Sequence, residues 1–299
     1  MKKLLIYAVA LIMILQCGTT VYAADGKVSP VNQCEQYFSE QESRTGKDAL
    51  NIIEDIDTLE YFRSIQEANK YDVVCTTAKT VYVIETLDDE KNIVESRLMT
   101  PKEVTEYNTE FAKANTWVGD DEEEHQGGKL DIYLVVYKDD SLNYYAYGTS
   151  DWENGIYSGG VNGPSSGYDF VALTWGGGGE LKNPSSSDRS ISGEYQYNQG
   201  SISFSRAQSD TYYGYCWQFN EMKGSYFADY IDCYAMLKKT YTAYLGKETN
   251  IRLTYVHTYQ SAVGSITFEG GSSGVAASVS LSSCDKQWQI EVDVPGIYY

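Results

Sequence analysis

The chain has 299 residues, a formal net charge of −19 and a sequence pI of 4.4. A surface this acidic repels nucleic acid and anionic lipid, so both are excluded as partners. The length suffices for one large β-rich domain or two smaller ones, each with a real core.

Lys2 and Lys3 precede an apolar run from Leu4 to Leu15, and Val21-Tyr22-Ala23 supplies small residues before a cut. This pattern predicts a secretory signal peptide over residues 1–23 and a secreted, extracellular product. Cys17 offers a rival, lipid attachment, but Gln16 stands where a lipoprotein signal needs a small residue. After residue 23 no stretch approaches the roughly 18 apolar residues of a membrane helix, so no integral membrane segment is expected. The terminal VPGIYY carries no wall-sorting pattern.

Residues 24–45 read as a linker and 46–125 as a small α+β portion. Between Gly46 and Asn69 apolar residues recur at helical spacing, with a break near Asp57 where Asp57-Thr58-Leu59-Glu60 resembles a fresh cap. KTVYVIETL and NIVESRL, joined by DDEK, predict a hairpin. Thr100-Pro101-Lys102-Glu103 combines an N-cap, a proline at the first helical position and a capping-box glutamate, which predicts a helix from Pro101 to Ala114.

Beyond the acidic run GDDEEEH the texture becomes one of short strands separated by Gly, Asn, Asp and Ser turns. Residues 126–299 therefore read as an antiparallel β-sandwich, jelly-roll-like or Greek-key, in an α+β chain that is predominantly β. In TYYGYCWQF, Tyr213, Tyr215, Trp217 and Phe219 share one face, which describes a core strand better than a ligand platform. A two-residue turn at Gly224-Ser225 pairs Lys223 with Tyr226 and, carried back along the strands, sets Cys216 opposite Cys233. A cross-strand Cys216–Cys233 disulfide is the resulting expectation for an exported protein. Cys34, Cys75 and Cys284 are left unassigned.

Candidate chemistry is sparse. GPSSG at Gly163–Gly167 fits G-x-S-x-G but is followed by the strand YDFVALTW, where a nucleophile elbow needs a helix. Consecutive acids in GDDEEEH diverge and lack the spacing of a calcium loop, so they read as a solvated connection. His257 shares a strand face with Ile251, Leu253 and Tyr255, which favours packing over general-base work. Asp151, Glu153, Asp169 and Glu180 are candidates for a carboxylate pair of the kind glycoside hydrolysis uses. Trp152, between Asp151 and Glu153, and Trp175, leading into Gly176–Gly179, are the candidate ligand contacts, since indole faces stack on sugars.

The combined reading is a secreted noncatalytic binding protein of the bacterial cell exterior, with carbohydrate or another surface component as ligand and no cofactor or metal. Two alternatives stand beside it. One is a secreted polysaccharide-active enzyme with paired carboxylates. The other is a β-pore-forming protein, prompted by the serine-rich alternation of GVAASVSL after GSITF.

Overall fold

Two segments of the small N-terminal portion are helical, the second from its expected cap and the first from a cap two residues before the expected one. The computed structural model describes residues 37–88, 93–110, 116–118, 124–139, 143–153, 168–176, 180–224, 226–240, 248–259, 265–272, 275–282, 284 and 287–298. The expected export segment, Cys34, residues 119–123 of the acidic run and the Gly163–Gly167 stretch lie outside these. Helix α1, Ile56–Asn69, starts at Asp55, whose carboxylate accepts from the Thr58 backbone N–H at 2.7 Å, two residues before the expected break. It ends where Lys70 turns left-handed, at φ 57. Helix α2, Pro101–Glu110, carries the expected capping box, with Thr100 N–H donating to Glu103 Oε2 at 2.7 Å. Arg97 clamps the same carboxylate from the preceding strand at 2.7 and 3.0 Å.

The rest is a β-dominant, antiparallel arrangement. A ten-stranded sheet follows the order β1 (Ser39–Thr45), β2 (Asp72–Leu87), β5 (Glu124–Lys138), β6 (Tyr144–Glu153), β13 (Tyr226–Lys239) and β12 (Met222–Lys223). Four short strands join it: β3 (Ile93–Leu98) on β2, β4 (Thr116–Val118) on β5, and β8 (Leu181–Lys182) and β9 (Arg189–Tyr195) on β13. A five-stranded sheet runs β10 (Phe204–Asp210), β11 (Gly214–Phe219), β7 (Asp169–Trp175), β14 (Glu248–Thr258) and β17 (Gln287–Tyr298). Strands β15 (Ile266–Ser272) and β16 (Val275–Leu281) pair as a separate ribbon. Gln36–Tyr299 forms one compact unit, and the expected divide at 125/126 falls inside β5, which β2 and β6 flank.

Alternation decides what each face meets. Val81 and Val83 of β2, Leu130, Ile132, Leu134 and Val136 of β5, and Ile231, Cys233, Ala235 and Leu237 of β13 enter one apolar cluster with residues of the five-stranded sheet. From that second sheet come Val171, Leu173 and Trp175 of β7, Tyr215, Trp217 and Phe219 of β11, Ile251, Leu253 and Tyr255 of β14, and Ile290, Val292 and Val294 of β17. Gly148 makes the contact close: a Cβ there would lie 2.9 Å from the Leu253 methyls. On the opposite face of the larger sheet, α1 buries Phe62 against Tyr133, Val135 and Tyr137. The β15–β16 ribbon places Val279 and Leu281 over Phe170, Ala172, Cys216 and Val256 on the outer face of the smaller sheet.

One expectation is corrected here. The Lys223↔Tyr226 closing pair forms, with Gly224 left-handed at φ 65, but the hairpin stops after Met222↔Phe227. Strand β11 instead joins β10 and β7, so Cys216 pairs with Ala172 in one sheet while Cys233 pairs with Gly148 in the other. No disulfide joins the described cysteines, Cys75, Cys216, Cys233 and Cys284, all of which are buried. Burial pushes the Cys216 thiol up to about 12 and raises Cys233 as well, which keeps both protonated and unreactive.

Alkylation of the native protein should therefore leave Cys216 and Cys233 unmodified, and denaturation without reductant should expose both; a peptide linking them in the mass spectrum would overturn the pairing described. A second outcome concerns the α2 cap. Burial raises the Glu103 carboxyl, but the Arg97 and Thr100 bonds outweigh it and hold the group down at about 2. The stability this supplies is complete above the ordinary carboxylate range and is lost as pH falls toward 2. Glu103→Gln should cost about 1 kcal/mol in urea denaturation at neutral pH, and the cost should shrink on acidification.

Candidate functional site: a buried carboxylate and imidazole cluster

Three strands each continue an inward-facing apolar row with one ionisable residue. On β2, Glu85 follows Val81 and Val83 on the same face; on β7, Asp169 precedes Val171 and Leu173; on β14, His257 follows Leu253 and Tyr255. Register brings two of them together, because Asp169 pairs with Phe219 of β11 on one side and adjoins the Phe170↔Val256 pair on the other. Glu221 completes the group. It lies just past β11, where the chain leaves the smaller sheet for β12 in the larger one, and its carbonyl accepts from Ala228 N–H at 2.7 Å.

The result is one imidazole facing three carboxyl groups. His257 Nδ1 lies 3.1 Å from Asp169 Oδ2 and 2.9 Å from Glu221 Oε2, while Nε2 lies 3.5 Å from Glu85 Oε1. All four side chains are at most 1% exposed. Asp169 is held by further donors: Tyr255 O–H to Oδ2 at 2.9 Å and the Thr258 backbone N–H to Oδ1 at 2.9 Å. The Trp288 ring lies against the imidazole, with centroids 5.0 Å apart.

Burial alone would pull the His257 pKa down, but the charges of Glu221 and Asp169 outweigh it and hold the imidazole well above its ordinary value. Burial and the Asp169 charge also keep the Tyr255 hydroxyl protonated, hence a donor. Nδ1 carries at most one hydrogen, which serves Asp169 Oδ2, while Glu221 Oε2 approaches the same nitrogen as an ion-pair contact. Asp169, Glu221 and His257 offer ligand atoms within 4.8 Å of one another, and this trio could hold a metal ion. The arrangement can store and pass a proton, present a carboxylate pair, or ligate a cation.

The expectation of a noncatalytic protein is thereby corrected: a buried Asp169, Glu221 and His257 cluster is consistent with a catalytic or metal-binding centre. Among the expected carboxylates, Asp169 belongs to the cluster. Glu180 is buried near Thr249 and Gly176, at the far end of β7. Asp151 pairs with Tyr230 and Asp131, and Glu153 pairs with Lys129 through the backbone.

Trp152 and Trp175 are strand residues with 4% and 0% exposure, so neither indole presents a face to solvent. Trp152 instead walls the cluster, its indole N–H donating to the Tyr255 hydroxyl oxygen at 3.4 Å, and Tyr255 in turn holds Asp169. Sequence reasoning does not single out Glu85 or Glu221, because an acid in a strand or turn is ordinarily a surface residue. The signal that finds Glu85, Asp169 and His257 together is a charge in phase with an inward apolar row. A groove of about 1070 Å³, bordered by Glu40, Glu42, Asp55, Asp57 and Lys129, lies elsewhere and shares no residue with the cluster.

No family model and no curated protein matches this sequence. Among the described residues, no helix is long and apolar enough to cross a membrane.

Tyr255→Phe removes the hydroxyl that joins Trp152 to Asp169 with almost no change of volume. It should lower stability by roughly 1–3 kcal/mol in urea denaturation, the cost of leaving buried polar partners unmatched; an unchanged midpoint would contradict the network.

Proposed function

We propose that the protein is an exported enzyme that hydrolyses extracellular polysaccharide, with Asp169, Glu221 and His257 as its reactive centre. The observation that carries this reading is the convergence of two buried carboxylates on one imidazole nitrogen. Such a group costs stability, since each buried charge must be matched, and a purely structural core would be served as well by apolar side chains. Carboxylate pairs at short separation are the equipment of glycoside hydrolysis through a nucleophile, whereas wide pairs leave room for a water. The ligand atoms of Asp169, Glu221 and His257 lie within 4.8 Å of one another, which places two carboxylates at one point of the core.

The substrate class draws support from the outer face of the larger sheet. Tyr71 stacks on Tyr145 at 4.2 Å, and Tyr147 lies 4.7 Å from Tyr234, each ring partly exposed. Asp139 accepts from Tyr145 O–H at 2.7 Å. Aromatic faces beside carboxylates suit sugar C–H surfaces and hydroxyls. In fold terms the centre then occupies one end of an antiparallel β-sandwich, a reading supported by the single apolar cluster that the two sheets share. Export rests on the N-terminal pattern. The closed cluster makes opening a required step of turnover.

The test is a screen of the mature protein on cell-wall and extracellular polysaccharides for new reducing ends. Turnover should fall by at least roughly 100-fold in Asp169→Asn and Glu221→Gln, with both variants checked for folding by circular dichroism. Full activity in either folded variant, or no turnover of any substrate class, would sink the reading.

A further inference from the structure

We propose that the Asp169, Glu221 and His257 cluster is a binding site for one divalent transition-metal ion, zinc being the best match, with His257 Nδ1, Asp169 Oδ2 and Glu221 Oε2 as ligands and Glu85 orienting the imidazole from behind. This rests on the catalytic reading of the same centre only for the use made of the ion, which, with both carboxylates as its ligands, would activate a water in place of a free carboxylate pair.

Three observations carry the assignment. The first is spacing. Ligands bonded to a shared zinc at about 2.0–2.1 Å, with angles between 90° and tetrahedral, sit roughly 2.8–3.4 Å apart. The two contacts to Nδ1 measure 2.9 and 3.1 Å.

The second is hydrogen count. One Nδ1–H cannot be aimed well at two oxygens that approach from β7 and from the β11–β12 connection, whereas an ion at their meeting point satisfies all three atoms without that hydrogen. Metal at Nδ1 then fixes the remaining hydrogen on Nε2, which has no hydrogen bond but faces Glu85 Oε1 at 3.5 Å. A carboxylate behind the distal nitrogen of a metal-bound imidazole is the usual supporting arrangement. Asp169 is likewise pinned, by Tyr255 and Thr258.

The third is charge. An imidazolium beside three carboxylates would leave two negative charges uncompensated, while a divalent ion on neutral imidazole would leave one, at Glu85, which faces the Nε2 hydrogen. One nitrogen and two carboxylate oxygens favour zinc or a neighbouring transition ion, since calcium takes six to eight oxygens. Three protein ligands leave an open coordination position, the arrangement of catalytic rather than structural zinc.

Metal content of the full mature protein, measured by plasma mass spectrometry, should be one transition ion per chain. Cobalt(II) added to chelator-treated protein should give a visible ligand-field spectrum, a readout that needs neither a variant nor a substrate. Glu221→Gln should abolish the spectrum, and Glu85→Gln should weaken zinc binding roughly 10- to 100-fold while preserving the ligand set. Chelator-treated, folded wild-type protein that neither binds zinc in calorimetry nor gains melting temperature from it would overturn the site. Turnover by protein that binds no zinc would overturn the site while leaving the catalytic reading intact; a stoichiometric ion with no turnover of any polysaccharide would support the site and overturn that reading.

Discussion

A charge taken out of water must be matched where it lands, and here one buried imidazole faces three buried carboxyl groups. The strands around His257 are arranged to meet that demand. Asp169 sits between β11 and β14, where the Thr258 backbone and Tyr255 can both donate to it. Trp152 and Trp288 then close the surroundings with indole surface. Their burial excludes water, and a low-dielectric setting strengthens each contact while making any unmatched one costly.

The position of Glu221 links this centre to the least expected feature of the fold. Had the alternation of Tyr213 to Phe219 simply run on through the Gly224 turn, β11 and β13 would lie side by side, Cys216 would face Cys233, and Glu221 would occupy an ordinary hairpin. Instead the chain changes sheet between Phe219 and Met222. That crossing separates the two cysteines into different sheets, and it places Glu221 against His257. Separation of the cysteines and assembly of the centre are one structural event.

Local chemistry was legible in the sequence. The Thr100 and Glu103 capping box, the β2–β3 hairpin, the inward row of Tyr215, Trp217 and Phe219, and the Lys223↔Tyr226 turn all form as their residues dictate. Each depends on neighbours within a few positions. The hairpin register fails where the information becomes nonlocal, because nothing within Asn220-Glu221 announces a change of sheet. The centre is hidden for the same reason: Glu85, Asp169, Glu221 and His257 come from distant parts of the chain, and only pairing through β7 and β14 unites them. His257 is an inward strand residue, as its alternation requires, but what that inward face meets cannot be read from β14 alone.

The carboxylates around His257 converge, on this account, on a cation rather than on one shared hydrogen. An anomalous-difference map collected above and below the zinc absorption edge, from crystals of protein purified without chelator, tests that most directly. The expected result is a single peak about 2.0–2.1 Å from His257 Nδ1 and flanked by Asp169 Oδ2 and Glu221 Oε2. A map without that peak, in which Nδ1 donates directly to one carboxylate, would contradict it.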